Sequence, residues 1–253
     1  MRAAESDWYK RIWSLDIKAQ SWVEDTARQV DFICRTLQLK GHERILDLAC
    51  GFGRHALAFA RRGFFVTGVD ITPAYVADAA EQAKREGLDA RFILSDIRDV
   101  TFAGEFDVVL NMADGAIGYL ENDAENLRIF DVASRALKPG GRHFMDIMNA
   151  GYADTHFPCQ LWDAGENGLT LSRFEWDKQS RIMLYGQCDV AYGARLPRVA
   201  IEEGNPTRLY GEAEIDAILR ARHMEVTDVF ADFSGKPASD NEIQMLIASR
   251  KGQ

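Results

Sequence analysis

The sequence predicts an α/β chain built on a doubly wound, mostly parallel sheet of seven strands, with an antiparallel β insertion after the fifth strand. Three observations carry this. Between Arg44 and Met148 short apolar runs alternate with amphipathic helical stretches, as parallel strands joined by right-handed crossovers require. From Gly151 to about Tyr210 that alternation is lost, and Leu169–Trp176, Arg181–Val190 and Arg198–Glu202 read as antiparallel strands without crossover helices. Finally, Glu225–Ala231 and Ile243–Ala248 are joined through Ser234-Gly235-Lys236-Pro237, a loop and not a helix, so they pair antiparallel.

The elements follow in order. Residues 1–40 form a helical cap with two patterns, the second carrying Ala27, Val30, Cys34 and Leu37 on one stripe. Trp8, Tyr9, Trp13 and Trp22 concentrate aromatics here, either as a lid over an active site or as anchors of a docking helix. Ile45, Leu46 and Leu48 make the first strand, Gly51 and Gly53 break it, and Ala56 to Ala60 open a helix. A second strand, Phe64 to Val69, ends in Asp70. Thr72-Pro73 starts a helix at a proline N1 position, with Val76, Ala79, Ala80 and Ala83 as its apolar stripe up to Gly87. Ala90–Leu94 and Phe106–Met112 are the third and fourth strands. A helix around Asn122–Leu137 is stopped by K138-P-G-G141, and the fifth strand runs from about Arg142 to Met148. After the insertion, a helix with Ile215, Ile218 and Leu219 inward leads to the final strands. One domain, 1–253, is expected, with residues 151–210 lying over an acceptor site.

Composition narrows the function. The chain has 253 residues, 47% apolar and 27% charged, with no apolar run long enough to span a membrane. The N-terminus lacks the apolar core of a secretory signal, so a cytoplasmic protein is expected. Thirty basic residues against thirty-nine acidic ones give a formal charge of −9 without a basic patch, which argues against a nucleic-acid partner. The four cysteines show no C-x-x-C spacing and suggest neither a zinc site nor a disulfide framework.

The glycine turn after the first strand is a ligand site in its own right. Gly51 and Gly53 let the backbone approach bound atoms, and the following helix presents unpaired N–H groups. G51-x-G53-x-x-A56 also satisfies the dinucleotide fingerprint, which keeps a nicotinamide or flavin enzyme open at this point. Asp47, inside the strand, needs a cationic or hydrogen-bond-donating partner to offset its desolvation, and a ligand amine would be one. Asp70 stands where an acidic residue binds ribose hydroxyls. Asp47, Asp70, Asp96, Asn111 and Asn149 all fall at carboxyl ends of strands, where ligands bind in open α/β sheets.

Taken together, D47-L-A-C-G-F-G53, V69-D70, S95-D96-I97 and L137-K-P-G-G141 resemble the motif series of class I S-adenosylmethionine-dependent methyltransferases. The resemblance implies a Rossmann-like methyltransferase fold and S-adenosylmethionine as cofactor. It places Asp47, Ala49, Gly51 and Gly53 along the methionine part, Asp70 on the ribose, Ile71 against adenine, and Asp96 on the adenine amino group with Ile97 beside it. Asn111, at the end of the fourth strand, is grouped with them. Ala49 stands where the family more often has glycine. The turn, D146-x-x-N149 and the insertion are similar to glycine N-methyltransferase-like and other small-molecule methyltransferases.

The expected reaction is in-line methyl transfer to a small amine, hydroxyl or carboxylate. The alternatives are an NAD(P)-dependent oxidoreductase on the same turn and a non-catalytic S-adenosylmethionine-binding protein. Asp114, Tyr119, Asn149 and His156 are the expected acceptor-site residues, with Tyr119 or His156 as proton acceptor or orienting group. No Pro-Pro follows Asn111, which argues against a flipped base. Cys159, in the insertion, is read as structural. Asp114, Asp146 and Asn149 could imitate the Mg²⁺ site of catechol-type enzymes, but strand-end carboxylates are more often hydrogen-bonded locally, and no metal is assigned. His55 suits helix packing or the pocket rim as readily as a base. The insertion also offers an interface for a homodimer.

Overall fold

The computed structural model describes residues 7–20, 23–195, 201 and 204–253. The elements in chain order are α1 (Thr26–Thr36), β1 (Arg44–Leu48), α2 (Arg54–Ala60), β2 (Phe65–Asp70), α3 (Pro73–Glu86), β3 (Ala90–Leu94), β4 (Phe106–Asn111), α4 (Asp123–Ala136) and β5 (Leu137–Met148). They continue with α5 (Ala150–His156), β6 (Cys159–Ala164), β7 (Gly168–Asp177), β8 (Ile182–Ala191), β9 (Asn205–Arg208), α6 (Glu212–Arg220), β10 (Met224–Phe230) and β11 (Gln244–Lys251).

Seven strands form one sheet in the order β10-β11-β5-β4-β1-β2-β3. β1 to β5 run parallel, while β11 pairs antiparallel with both β5 and β10. The five inner strands are covered on both faces, and successive residues feed opposite layers. Leu46, Val109, Met145 and Ile147 enter the core under α4 and α6, whereas Ile45, Val108, Leu110 and Phe144 enter the core under α1 and α2. The crossovers reverse direction between β1 and β4, and this opens a crevice at their carboxyl ends. β6 to β9 form a separate antiparallel sheet, in sequence order.

Several expectations are corrected. The first N-terminal pattern is two short 3-10 turns, Trp8–Lys10 and Leu15–Ala19, too short to form a packed helix of their own. Of the stripe expected on α1, Val30 and Leu37 are buried and Cys34 packs on the same core, while Ala27 is exposed and Phe32 and Ile33 are buried instead. K138-P-G-G141 does not stop α4 from a loop; it lies inside β5, where the register with β4 shifts between Phe106 and Val108. α5, β6 and β9 carried no readable signal. β6 is an edge strand exposed along nearly its whole length, so burial imposes no alternation on it. Trp22 and the strand expected over Arg198–Glu202 lie outside the described residues, Ile201 apart. Among the described residues no helix is long and apolar enough to cross a membrane.

Candidate active site

β1 ends in a turn whose residues Ala49, Gly51 and Gly53 all take positive φ, at 55°, 56° and 78°. The two glycines do different work. A Cβ on Gly53 would meet Ala79 Cβ and Phe92 Cε1 at 2.9 Å, so that glycine lets α2 close onto α3 and β3. A Cβ on Gly51 would approach only Tyr75, at 3.9 Å, and its φ alone favours glycine. Ala49 holds the same left-handed geometry at a cost of ~1–2 kcal/mol, which explains why glycine suits this position.

Three carboxylates meet the cavity from neighbouring strand ends. Asp47 is 1% exposed, and neither of its oxygens has a hydrogen-bond partner. Burial pushes its carboxyl up to about 7, against the pull of the Arg54 guanidinium. Asp146, also buried, is pushed to about 7 by burial and by Asp114, again opposed by Arg54. Arg54 is itself lowered to about 10 by burial, and its Nη1 donates to Thr26 Oγ1 (2.9 Å) and Gln29 Oε1 (2.7 Å) of α1. His55 Nε2 shares that Gln29 oxygen at 2.8 Å, and burial beside Arg54 keeps the imidazole neutral. His55 lines the cavity, but it is not poised as a base at neutral pH.

Toward β2 and β3 the geometry changes. Asp70 accepts Gly51 N–H on Oδ2 and Thr72 N–H on Oδ1, each at 2.8 Å, which leaves each oxygen a lone pair facing the cavity. Asp96 is clasped by Arg98, with Nε donating to Oδ1 at 2.9 Å and Nη2 to Oδ2 at 2.6 Å. Arg98 also reaches Glu121, Glu125 and Tyr9 Oη, tying the N-terminal segment to this corner. Burial opposes ionisation of Asp96, yet Arg98 holds it below the usual carboxylate range.

After β4 the backbone enters a run of four consecutive left-handed residues, Ala113 (φ 52°), Asp114 (67°), Gly115 (52°) and Ala116 (63°). Such a run is costly for residues with a Cβ, and strain of this kind concentrates at functional sites. It is held by Asp114 N–H donating to Asp146 O (2.7 Å) and by Ile117 N–H donating to Asp114 O (2.8 Å). The run points the Asp114 carboxyl at the cavity, where Tyr119 Oη donates to its Oδ2 at 2.8 Å. Burial lifts Asp114 to about 6, with the Tyr119 bond pulling the other way. Tyr119 is pushed well above its ordinary range by burial and by Asp114, so it stays a donor.

The cavity measures about 960 Å³, room for a nucleoside cofactor and a small acceptor. Trp8 and Trp13 form one wall, their rings 5.0 and 6.2 Å from that of Tyr119. Phe174, Met183 and Tyr185 of the second sheet form another. For the N-terminal aromatics, anchoring and facing the site do not exclude each other, because Trp8 and Tyr9 are at once buried in the core and part of the cavity wall.

Of the expected site residues, Asp47, Ala49, Gly51, Asp70, Ile71, Asp96, Ile97, Asp114 and Tyr119 line this cavity. Gly53, Asn111, Asn149 and His156 do not. Asn111 spends its amide on Gly115 O (3.1 Å) and His143 Nε2 (3.1 Å), bracing the left-handed run from behind. Asn149 caps α5 through Gly151 N–H and donates to Ser239 O and Glu242 O. His156 lies exposed at the end of α5, stacked on Tyr152 at 4.0 Å, with Nδ1 bound to Thr155 and Tyr152. It is therefore corrected as an acceptor-site residue, because its helix turns it away from the cavity. Arg54 was missed, although a cation directly after Gly53 and seven residues from Asp47 was a visible signal. The insertion residues gave none. Among the described residues no group of three His, Cys, Asp or Glu is arranged to hold a metal ion.

An open α/β sheet with a glycine turn after β1, an acid at the end of β2 and an antiparallel β11 defines a Rossmann-like methyltransferase. The family model described as a methyltransferase domain matches residues 45–141. The putative methyltransferase YqeM of Bacillus subtilis (strain 168) is 34% identical over 228 residues, covering 83% of this chain and 85% of that protein. The cypemycin N-terminal methyltransferase of a Streptomyces species is 27% identical over 211 residues, covering 80% and 81%. Among solved structures, an S-adenosylmethionine-dependent methyltransferase from Clostridium acetobutylicum ATCC 824 shares the fold with a TM-score of 0.75 at 19% identity, over 94% of this chain and 97% of that one. The chain belongs to the class I S-adenosylmethionine-dependent methyltransferases, and it is an enzyme of that class. The nicotinamide alternative is not favoured.

The residues present fit the cofactor. The unpartnered oxygens of Asp47 suit an ammonium group, the free lone pairs of Asp70 suit a pair of hydroxyls, and the open backbone at Gly51 leaves room beside them.

Proposed function

We propose that the enzyme methylates a small amine, held between the Asp114–Tyr119 pair, the N-terminal aromatics and the insertion sheet. One observation carries the reading. Eight aspartates line the cavity against a single guanidinium, that of Arg54, with no lysine among the described residues. Such a wall attracts cations and repels a carboxylate acceptor. The rings of Trp8, Trp13 and Tyr119 add π faces that favour an alkylammonium over a neutral alcohol.

When bound, S-adenosylmethionine supplies an activated methyl group, so the protein has to align, enclose and manage charge. Asp47 and Asp70 would hold the cofactor's amino and ribose groups, Asp96 and Ile97 its base. Tyr119 fixes the Asp114 carboxyl, which in turn orients the acceptor nitrogen. Asn149 and His156, outside the cavity, take no part in this reading. A cavity of this size with three aromatic rings in its wall supports a small acceptor.

A panel of amines, phenols and carboxylic acids with a homocysteine-release readout tests this. Turnover of amines with none of the carboxylic acids is expected. Turnover confined to phenols or carboxylic acids would overturn it.

A further inference from the structure

The interior of the cavity holds a charge imbalance that cofactor binding alone does not use. Asp47, Asp114 and Asp146 stand at the ends of β1, β4 and β5, strands adjacent in the sheet, and one guanidinium, Arg54, faces them. The backbones of Asp114 and Asp146 are joined by the 2.7 Å bond from Asp114 N–H to Asp146 O, which sets both side chains in the cavity wall, close enough for the Asp114 charge to act on Asp146. We propose that Asp114 and Asp146 take the proton released by the acceptor amine, and that the charge of the cofactor in the same cavity decides whether they are free to take it.

Among the described residues, the His, Tyr and Cys side chains that face the pair keep their charge near neutrality. From α2, burial keeps His55 neutral. From the turn and from β8, burial lifts Tyr119 and Tyr185, and both stay protonated. Beside Asp47, burial raises the Cys50 thiol well above its ordinary range. From β2, Asp70 is also raised by burial, against its two backbone N–H bonds. Burial pushes Asp47 and Asp146 up to about 7 and Asp114 to about 6, so all three hold a proton to higher pH than a solvated carboxylate does.

A sulfonium and an ammonium placed in this cavity favour the ionised carboxylates, so protons leave to solvent as the cofactor binds. In the transfer the nitrogen lone pair forms the N–C bond while the C–S pair returns to sulfur, which becomes neutral. The methylated nitrogen carries the positive charge until its N–H proton passes to Asp114 or Asp146. Their affinity for that proton has risen in the same step, because the positive charge on sulfur is gone. No further reactant is required. The origin of the proton rests on the amine reading; the test below contains no acceptor, so its failure and the failure of that reading are distinguishable.

The full chain is titrated calorimetrically with S-adenosylmethionine and with S-adenosylhomocysteine, at about pH 6.5 in buffers of different ionisation enthalpy, to count protons. More protons are released by the sulfonium ligand than by the thioether. The S-adenosylmethionine Kd also falls more steeply as pH rises from about 5.5 to about 7.5, roughly tenfold per pH unit for each extra proton. In Asp114→Asn and Asp146→Asn the difference between the ligands shrinks. Equal proton counts for the two ligands on the unmodified chain overturn the proposal, and that comparison stands without the variants. A difference of the same size in both variants overturns the assignment to these residues.

Discussion

The two ends of the cavity are built in different ways. At the cofactor end, Asp70 and Asp96 are held within a few residues or across one strand pair, by Gly51 and Thr72 and by Arg98, and Asp47 of β1 is left unpartnered for the ligand. At the acceptor end, a strained left-handed run is surrounded by side chains from far along the chain, Trp8 and Trp13 on one side and Phe174, Met183 and Tyr185 on the other. A local site leaves a motif in the sequence, because the same few residues must make both the turn and the contact. A site assembled across the fold leaves only scattered residues whose directions depend on packing.

The largest effect should come from glycines that look alike in sequence. A Cβ at Gly118 would lie 2.0 Å from Arg208 O, the residue whose N–H donates to Gly118 O at 2.8 Å and so joins the acceptor turn to the insertion. Gly118→Ala should cost about 3 kcal/mol or more through overpacking and positive φ, whereas Gly51→Ala should cost only about 1–2 kcal/mol from φ. Thermal melts of the two variants would separate them by several degrees, and equal melting points would break the comparison. Next in size, Asp70→Ala should weaken S-adenosylmethionine by about 1.5–3 kcal/mol, some ten- to hundredfold in Kd by calorimetry. Removing the acid also strands two backbone N–H groups.

Tyr119→Phe removes one hydrogen bond to a charged group, and turnover should fall about tenfold. That bond holds Asp114 below the value burial alone would give it, so its loss raises the Asp114 pKa further above about 6. A base is active once deprotonated, so the acid limb of the pH–rate profile should move to higher pH. A profile that keeps its shape would remove Asp114 from proton transfer. The smallest effect belongs to His156→Ala, which should stay within about 0.5 kcal/mol in stability and leave turnover unchanged. Lost turnover there would show that α5 reaches the acceptor.

The order and type of the parallel strands were legible because inner strands such as β1 and β4 are buried on both faces and read as apolar runs, and the bounds of the edge strand Ala90–Leu94 matched residue for residue. Asp47 was legible as an acid in search of a partner, since it stands among apolar strand residues where a carboxylate is desolvated. Asn111 and Asn149 misled for the same reason that Asp47 did not. A strand-end polar residue reads the same whether it faces a ligand or, like Asn111, a backbone carbonyl and a histidine behind the turn. His156 misled because seven residues of α5, with no apolar stripe long enough to orient them, settle its direction only in the fold. β6 and β9 were hidden by exposure and brevity.

The division of labour between the two ends is tested most directly by measuring cofactor Kd, KM and kcat for Asp70→Asn and Asp114→Asn on an amine acceptor. The account predicts that Asp70→Asn weakens the cofactor and leaves kcat at saturation largely intact. It predicts that Asp114→Asn, which keeps an oxygen for the Tyr119 hydroxyl, holds the S-adenosylhomocysteine Kd and loses kcat. An Asp114→Asn enzyme with unchanged kcat, or two variants failing in the same parameter, would contradict it.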